Sequence, residues 1–387
     1  MTKQWIDLPP DFGDLPVQVP FKSAVRCGDL VYLTGQVGEP LSGGKHTDNG
    51  DDVPALTRQA MDKLAGFMGE LGVSFRDVVR LNSYNVGTGD WAVSVDAQAG
   101  YFDQLPPLTT TIVEGLMEPQ LEVEIDVVAV DGRTRTSSYD DHGRAVGTRA
   151  GDTIYVAALV DAEADTENGG TLAHTDVEGQ TRGVLARLQT VLRELGGELT
   201  DVVKTNVLHA DAADIAVTRK LRAEAFPQGV ASTDVAVPGF STEGALVQVE
   251  ALAVVGAERS FADLPGHPDP AETGIHGAVR VGNVVYTSGL VAQDPTGAAR
   301  HPGAMGEQSR AVLDDMSALL EQLGASMDDV LRKNTYYLDL DLESWTEAAR
   351  VRATYFRQGP CATGVGVTAL PAEGQVIAME AVAALDA

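Results

Sequence analysis

Glu380 is the residue whose type and surroundings best suit it to moving a proton. Its neighbours on the same strand face are Val376 and Ala378, so an ionisable group stands among apolar ones. Loss of water around such a carboxyl raises its pKa towards the range of a useful general base. The competing reading is a carboxylate that pairs with an arginine across an internal interface. Glu250, beside Gln248 and Leu252, is a second candidate of the same kind. Asp126 shares its face with Glu122 and Glu124 and reads more as a solvated acidic stripe. Cys361 could act as a nucleophile only with a cation or helix start to lower its pKa. The sequence shows no such partner, so a small pocket-wall or core residue is the alternative. There is no His/Cys cluster with metal-ligand spacing, no Gly-x-Gly-x-x-Gly after a strand and no P-loop. Neither a tightly bound metal nor an organic cofactor is therefore expected.

The elements that carry these residues are written three times. The segment Ala278–Gly289 returns as Ala24–Gly35 and, more worn, as Gly147–Ala158. Each copy pairs a Gly-Asp or Gly-Asn turn with β-branched and aromatic runs on both sides, the chemistry of a tight β-hairpin. A helix stop, Leu71-Gly72, recurs as Leu195-Gly196 and Leu323-Gly324, and a strand start at Asp77 recurs at Asp201 and Asp329. A period held by several landmarks means copies of one domain.

The 387 residues accommodate three such copies, each long enough to bury a core. The net charge of −28 opposes binding to a nucleic-acid backbone or an anionic membrane surface, and neither is expected as a partner. The two cysteines, Cys27 and Cys361, fall in different repeats and form no disulfide framework. With no apolar run of membrane-spanning length and no signal-like start, the protein is expected in the cytoplasm.

Residues 1–20 read as a surface lead, 21–133, 139–256 and 274–387 as the repeats, and 257–273 as a linker. Within the first repeat the hairpin precedes a Gly- and Asp-rich loop, Gly38–Val53. Then come a helix from Pro54 to Leu71, a strand from Phe75 to Val86, and a helix from Asp90 to Gln104 with Asp90 as N-cap. Thr109–Val113 and Leu121–Val130 close the repeat as strands. The order β-β-α-β-α-β-β three times over gives an α+β fold, with helices on one face of each sheet. The closing strand Leu246–Val255 is apolar on both faces, so a second layer must cover it. The three sheets are expected to cover one another.

The hairpin motif Ala-Val-Arg-x-Gly-[Asp/Asn]-x-Val-Tyr-x-[Ser/Thr]-Gly, with the closing segments Thr363–Pro371 and Ala378–Ala383, resembles the Rid/YjgF family of reactive-intermediate deaminases. The resemblance spans essentially the whole chain as three consecutive copies. It implies chorismate-mutase-like domains, usually a homotrimer with a pocket at each interface; here one chain would fold as an intramolecular pseudo-trimer and remain a monomer. Family members that hydrolyse imines and enamines of amino acids resemble one another in an arginine before the Leu-Pro of the closing pattern. Such an arginine suits a substrate carboxylate. The matching positions are Leu116, Gly239 or Phe240, and Ala369, so a simple 2-imino acid is not the expected substrate.

The family's acid matches Asp126, Glu250 and Glu380, and its tyrosine matches Phe21, Arg144 and Ile275. By that match, His276 can replace the lost hydroxyl as acid or base, and Arg144 can supply an anion contact. Thr110, Thr233 and Thr363 match a serine position and can donate to a bound carboxylate or carbonyl. Gly35, Ser288 and Gly289 end the hairpins, and backbone donors near Gly289 and Thr363 suit a developing oxyanion. Asn82, Asn206 and Asn334 read as structural. Because the copies have lost different residues, one main pocket is expected, at an interface involving the third repeat. The function implied is cofactor-independent hydrolysis, tautomerisation or cyclisation of an imine, enamine or related small molecule in a specialised pathway. The alternatives are non-catalytic binding or scavenging, and a structural role beside another enzyme.

Overall fold

The Gly-Asp and Gly-Asn pairs close their hairpins as two-residue turns: Cys27 faces Leu30, Ala150 faces Thr153 and Val281 faces Val284. Gly28, Gly151 and Gly282 take φ of 65°, 63° and 58°, a conformation that the first position of such a turn requires and side chains resist. In this computed structural model, residues 2–9, 21–38, 53–87, 89–162, 171–265, 267 and 269–385 are described.

The arginine of the hairpin motif explains why hairpin and helix stop recur together. Arg26, Arg149 and Arg280 each donate through Nη1 to the last carbonyls of the following long helix, at Leu71, Leu195 and Leu323, over 2.8, 2.9 and 2.7 Å. Those carbonyls have no partner within the helix. Arg280→Ala is expected to lower stability by roughly 1–2 kcal/mol, read as a shift in urea midpoint at constant m-value.

Each repeat builds a sheet with its last strand in the middle. In the first, the order is Lys3–Ile6, Ala24–Cys27, Leu30–Leu33, Val123–Val130, Val78–Val86, Leu108–Val113, with Gln36–Val37 also on Val123–Val130. Helices Val53–Glu70 and Trp91–Ala99 cover one face; Val177–Glu194 and Ile215–Ala225, then Met305–Gln322 and Leu342–Arg352, do the same in the other repeats. Each helix layer buries its own core, for example Leu64, Met68, Leu81 and Ile125 in repeat 1. The opposite faces meet at the centre in clusters shared by all three repeats, the larger of which holds the hairpins. Val25, Tyr32 and Val79 lie there with Tyr155, Val203 and Leu252 and with Val279, Tyr286 and Leu331. The α+β pseudo-trimer expected from the repeats is the fold.

Several boundaries differ. Each hairpin is preceded by a further strand, Lys3–Ile6, Arg135–Tyr139 or Arg259–Ala262, paired to the hairpin's first strand. The segments expected as surface lead and linker thus carry sheet, and 257–273 also holds a short helix, Pro270–Thr273. Ile275–His276 pairs with Val230–Ala236, so the second sheet takes a strand from the third repeat. The helix expected to reach Gln104 ends at Ala99, and Asp90 makes no side-chain cap bond. Gly100 disfavours continuation, and the prolines at 106 and 107 follow closely. Phe75 instead opens a short 3-10 turn and packs edge-on against Tyr101 and Phe102. Most of the loop expected over Gly38–Val53, and residues 10–20 of the lead, lie outside the described residues. No helix among those described is long and apolar enough to cross a membrane.

Candidate functional site

The three matched acids are buried and neutralised in a ring. Arg332 of repeat 3 lies 2.6 Å from Asp126 of repeat 1; Arg80 of repeat 1 lies 2.6 Å from Glu250 of repeat 2; Lys204 of repeat 2 lies 2.6 Å from Glu380 of repeat 3. A threonine from the same donor repeat joins each pair. Thr363 donates to Asp126 over 2.9 Å, Thr109 to Glu250 over 3.0 Å, and Thr233 to Glu380. Asn82, Asn206 and Asn334 stand opposite their own repeat's acid in the sheet register and donate to it. The ring closes only if the three repeats pack around a pseudo-threefold axis, and buried charge without such pairing would be costly.

This corrects the expectation for Glu380. Burial pushes its carboxyl upward, but Lys204, with help from Thr233 and Arg332, outweighs that and holds it below the ordinary range. It is an interface anion. The threonine set is also shifted by one: Thr109, not Thr110, is the partner of Thr233 and Thr363. Thr109 stands across from Asn82 in the register, as they do from Asn206 and Asn334.

The other expected residues are engaged elsewhere. His276 holds Asp263 through Nδ1 at 2.8 Å and stacks on Phe261. Arg144 is tied to Asp140 over 3.0 Å, although its buried Nη2 has no partner. Ser288 Oγ donates to the His276 carbonyl and accepts from the Ser232 amide, and the Gly289 amide donates to the Ser232 carbonyl. The backbone donor expected at Gly289 to hold an oxyanion is therefore used between repeats. Phe21 packs on the third repeat's core. Cys361 lies in the shared core with Sγ 3.2 Å from the Tyr32 carbonyl; burial pushes its thiol up to about 12, which excludes a thiolate at neutral pH.

The group left over is Glu124. It is 8 % exposed and has no hydrogen-bond or ion-pair partner among the described residues. Burial first, then the charge of Asp126, push its carboxyl up to about 8, with Arg332 opposing. It lies in strand Val123–Val130, opposite Val37 on one side and Tyr84 on the other. Reading 122, 124 and 126 as a solvated stripe was wrong, because Asp126 is fully buried and both faces of this strand are covered. The two-face argument applied to Leu246–Val255 held equally for this strand and was the signal available.

The surroundings of Glu124 are shaped for it. A Cβ on Gly35 would come within 1.9 Å of Glu124 Oε1, so the glycine makes room for the carboxyl. The Gly35 amide donates to the Ala362 carbonyl over 3.2 Å, which places this site where repeats 1 and 3 meet. The equivalent junctions hold Ala158 with Gln248, and Gly289 with Ala378. An ionisable group survives at that position in one junction of three. Gly35→Ala is expected to displace the Glu124 carboxyl and to lower stability by roughly 1–3 kcal/mol through overpacking, read as a shift in urea midpoint with the circular dichroism spectrum unchanged.

A family model described as Endoribonuclease L-PSP matches residues 14–131, 141–255 and 267–385. A RutC family protein of Pyrococcus abyssi is 33 % identical over 107 residues, 27 % of this chain and 82 % of the relative. The 2-iminobutanoate/2-iminopropanoate deaminase of Rattus norvegicus is 29 % identical over 116 residues, 30 % of this chain and 82 % of that protein. A chorismatase crystal structure aligns over 90 % of this chain and 98 % of its own, with TM-score 0.58 and 15 % identity, a likeness of fold.

Proposed function

The chain belongs to the Endoribonuclease L-PSP (Rid/YjgF) family, three of its domains in tandem, and on that premise we propose that it hydrolyses an imine, or an enamine through its imine tautomer, at the junction of repeats 1 and 3. The observation that carries the reading is Glu124, a buried acid with no ion-pair partner among the described residues, whose carboxyl burial pushes up to about 8. A general acid-base works best with a pKa close to the working pH.

Protonated Glu124 gives its proton to the imine nitrogen while a water oxygen bonds to the imine carbon and the C=N electron pair moves to nitrogen. The carboxylate then takes a proton from the added water. Glu124 then gives that proton to the carbinolamine nitrogen and takes the hydroxyl proton as the C–N bond breaks, so that ammonia leaves, the carbonyl product remains and Glu124 is protonated again. None of the matched positions Leu116, Gly239, Phe240 and Ala369 is an arginine. This favours a substrate larger or less simply anionic than a 2-imino acid, as in a specialised pathway step.

The test is loss of imines generated in place by amino-acid and amine oxidases, followed by trapping of the imine that remains. Accelerated loss is expected, most for the larger and uncharged imines. No acceleration across the panel would overturn the hydrolytic reading and leave small-molecule binding as the function of the junction.

A further inference from the structure

The pseudo-threefold axis carries a second constellation, separate from Glu124. Tyr32 stands opposite Val128 in the sheet register, and Val128 opposite Arg80. Tyr155, Leu252 and Lys204 repeat the row, as do Tyr286, Val382 and Arg332. Residues directly opposite across strands point to one face, so each repeat turns a tyrosine, an aliphatic side chain and a cation towards the axis. All nine line a single cavity of about 30 Å³, room for one water or one monoatomic ion.

Several polar atoms facing this cavity lack a partner. Tyr32, Tyr155 and Tyr286 are 3 %, 2 % and 5 % exposed, and their hydroxyls have no hydrogen-bond partner among the described residues. Nε of Arg80 and of Arg332 is likewise buried without a partner. Buried donors in this state call for an occupant. Arg80, Lys204 and Arg332, each paired with an acid of the ring, line it with Glu380, Asn206 and Asn334, so the free donors of the lining, more than its net charge, select what it holds. Burial holds the tyrosine hydroxyls protonated, Tyr32 at about 12, so they are donors at neutral pH.

We propose that this axial cavity binds one monoatomic anion of chloride or bromide size, held by the hydroxyls of Tyr32, Tyr155 and Tyr286 beside the guanidinium groups of Arg80 and Arg332. An anion there would tie the three repeats together at the point where their sheets meet.

The experiment pairs crystals grown in bromide with thermal unfolding in chloride against gluconate at equal ionic strength. The expected results are an anomalous bromide peak within hydrogen-bond distance of the three hydroxyls, and a Tm higher by roughly 1–2 °C when chloride exceeds its Kd about tenfold. The triple variant Tyr32→Phe, Tyr155→Phe, Tyr286→Phe should lose both, and the three single variants, which guard against misfolding of the triple one, should each weaken the chloride effect. Water-like density with no anomalous peak, or a chloride effect equal in wild type and single variants, would overturn the proposal. Neither readout involves imine turnover, so it stands or fails apart from the role of Glu124.

Discussion

Glu124→Gln is expected to remove imine turnover and, above about pH 8, to make the protein more stable. The two effects have one cause. Folding raises the Glu124 carboxyl from an ordinary 4.5 to about 8, chiefly by burial. A group whose pKa rises on folding contributes stability that is complete below the unfolded value and is lost as pH climbs through the folded one. Wild type should therefore lose stability between about pH 4.5 and 8 as charge is forced onto a buried, unpaired carboxyl. The glutamine is neutral at every pH and nearly the same shape. At pH 9 it should be more stable than wild type by roughly 2–4 kcal/mol in urea titrations, since each pKa unit corresponds to about 1.4 kcal/mol. At pH 5, where both side chains are largely neutral, the two proteins should nearly coincide. Turnover at pH 7 should fall by roughly 10²–10⁴-fold, the usual share of an acid-base group. A residue kept for packing alone would show the pH-dependent gap in stability without the loss of rate.

Arg332→Ala is expected to have the largest effect on folding. Its guanidinium lies 2.6 Å from Asp126, which is fully buried. Removing the cation leaves Asp126 with Asn82, Thr363 and Tyr84 as hydrogen-bond donors and no ion pair of its own, since Arg80, which also acts on it, is committed to Glu250. Loss of one partner from a buried ion pair costs about 3–5 kcal/mol, far more than the net worth of the pair. The same variant joined to Asp126→Asn should recover much of that loss, because the stranded charge goes with its partner. Urea titration of both variants checks this; equal instability would mean that Arg332 acts through packing and not charge. Asp126 raises the Glu124 pKa and Arg332 lowers it, Asp126 being the larger influence, so removing both together should leave the pH dependence of turnover near that of wild type or move it slightly downward, with activity retained.

The repeats, the hairpins and the mutual covering of the sheets were legible because local chemistry dictates them. A glycine at positive φ, a β-branched run and a helix stop are each written in a few adjacent residues. The early strands Lys3–Ile6, Arg135–Tyr139 and Arg259–Ala262 were not, since they are short edge strands whose pairing depends on a hairpin many residues away. The site was legible only in part. Asp126, Glu250 and Glu380 stood out as recurring acids, but their cations come from other repeats and no spacing rule links Lys204 to Glu380. Glu124 failed to stand out for the opposite reason: it does not recur, being replaced by Gln248 and Ala378. Symmetry drew attention to the residues that hold the trimer together, whereas the group proposed for chemistry is the one that breaks it.

The central claim is that Glu124 is the proton-moving group of an imine-hydrolysing site. The most direct measurement is the pH profile of kcat/KM for trapped-imine loss, run with wild type and Glu124→Gln between pH 6 and 9. The expected profile for wild type is flat at low pH and falls through about 8 as Glu124 loses its proton, with the variant near the uncatalysed rate throughout. A variant as active as wild type, or a wild-type rate indifferent to pH across this range, would contradict the account.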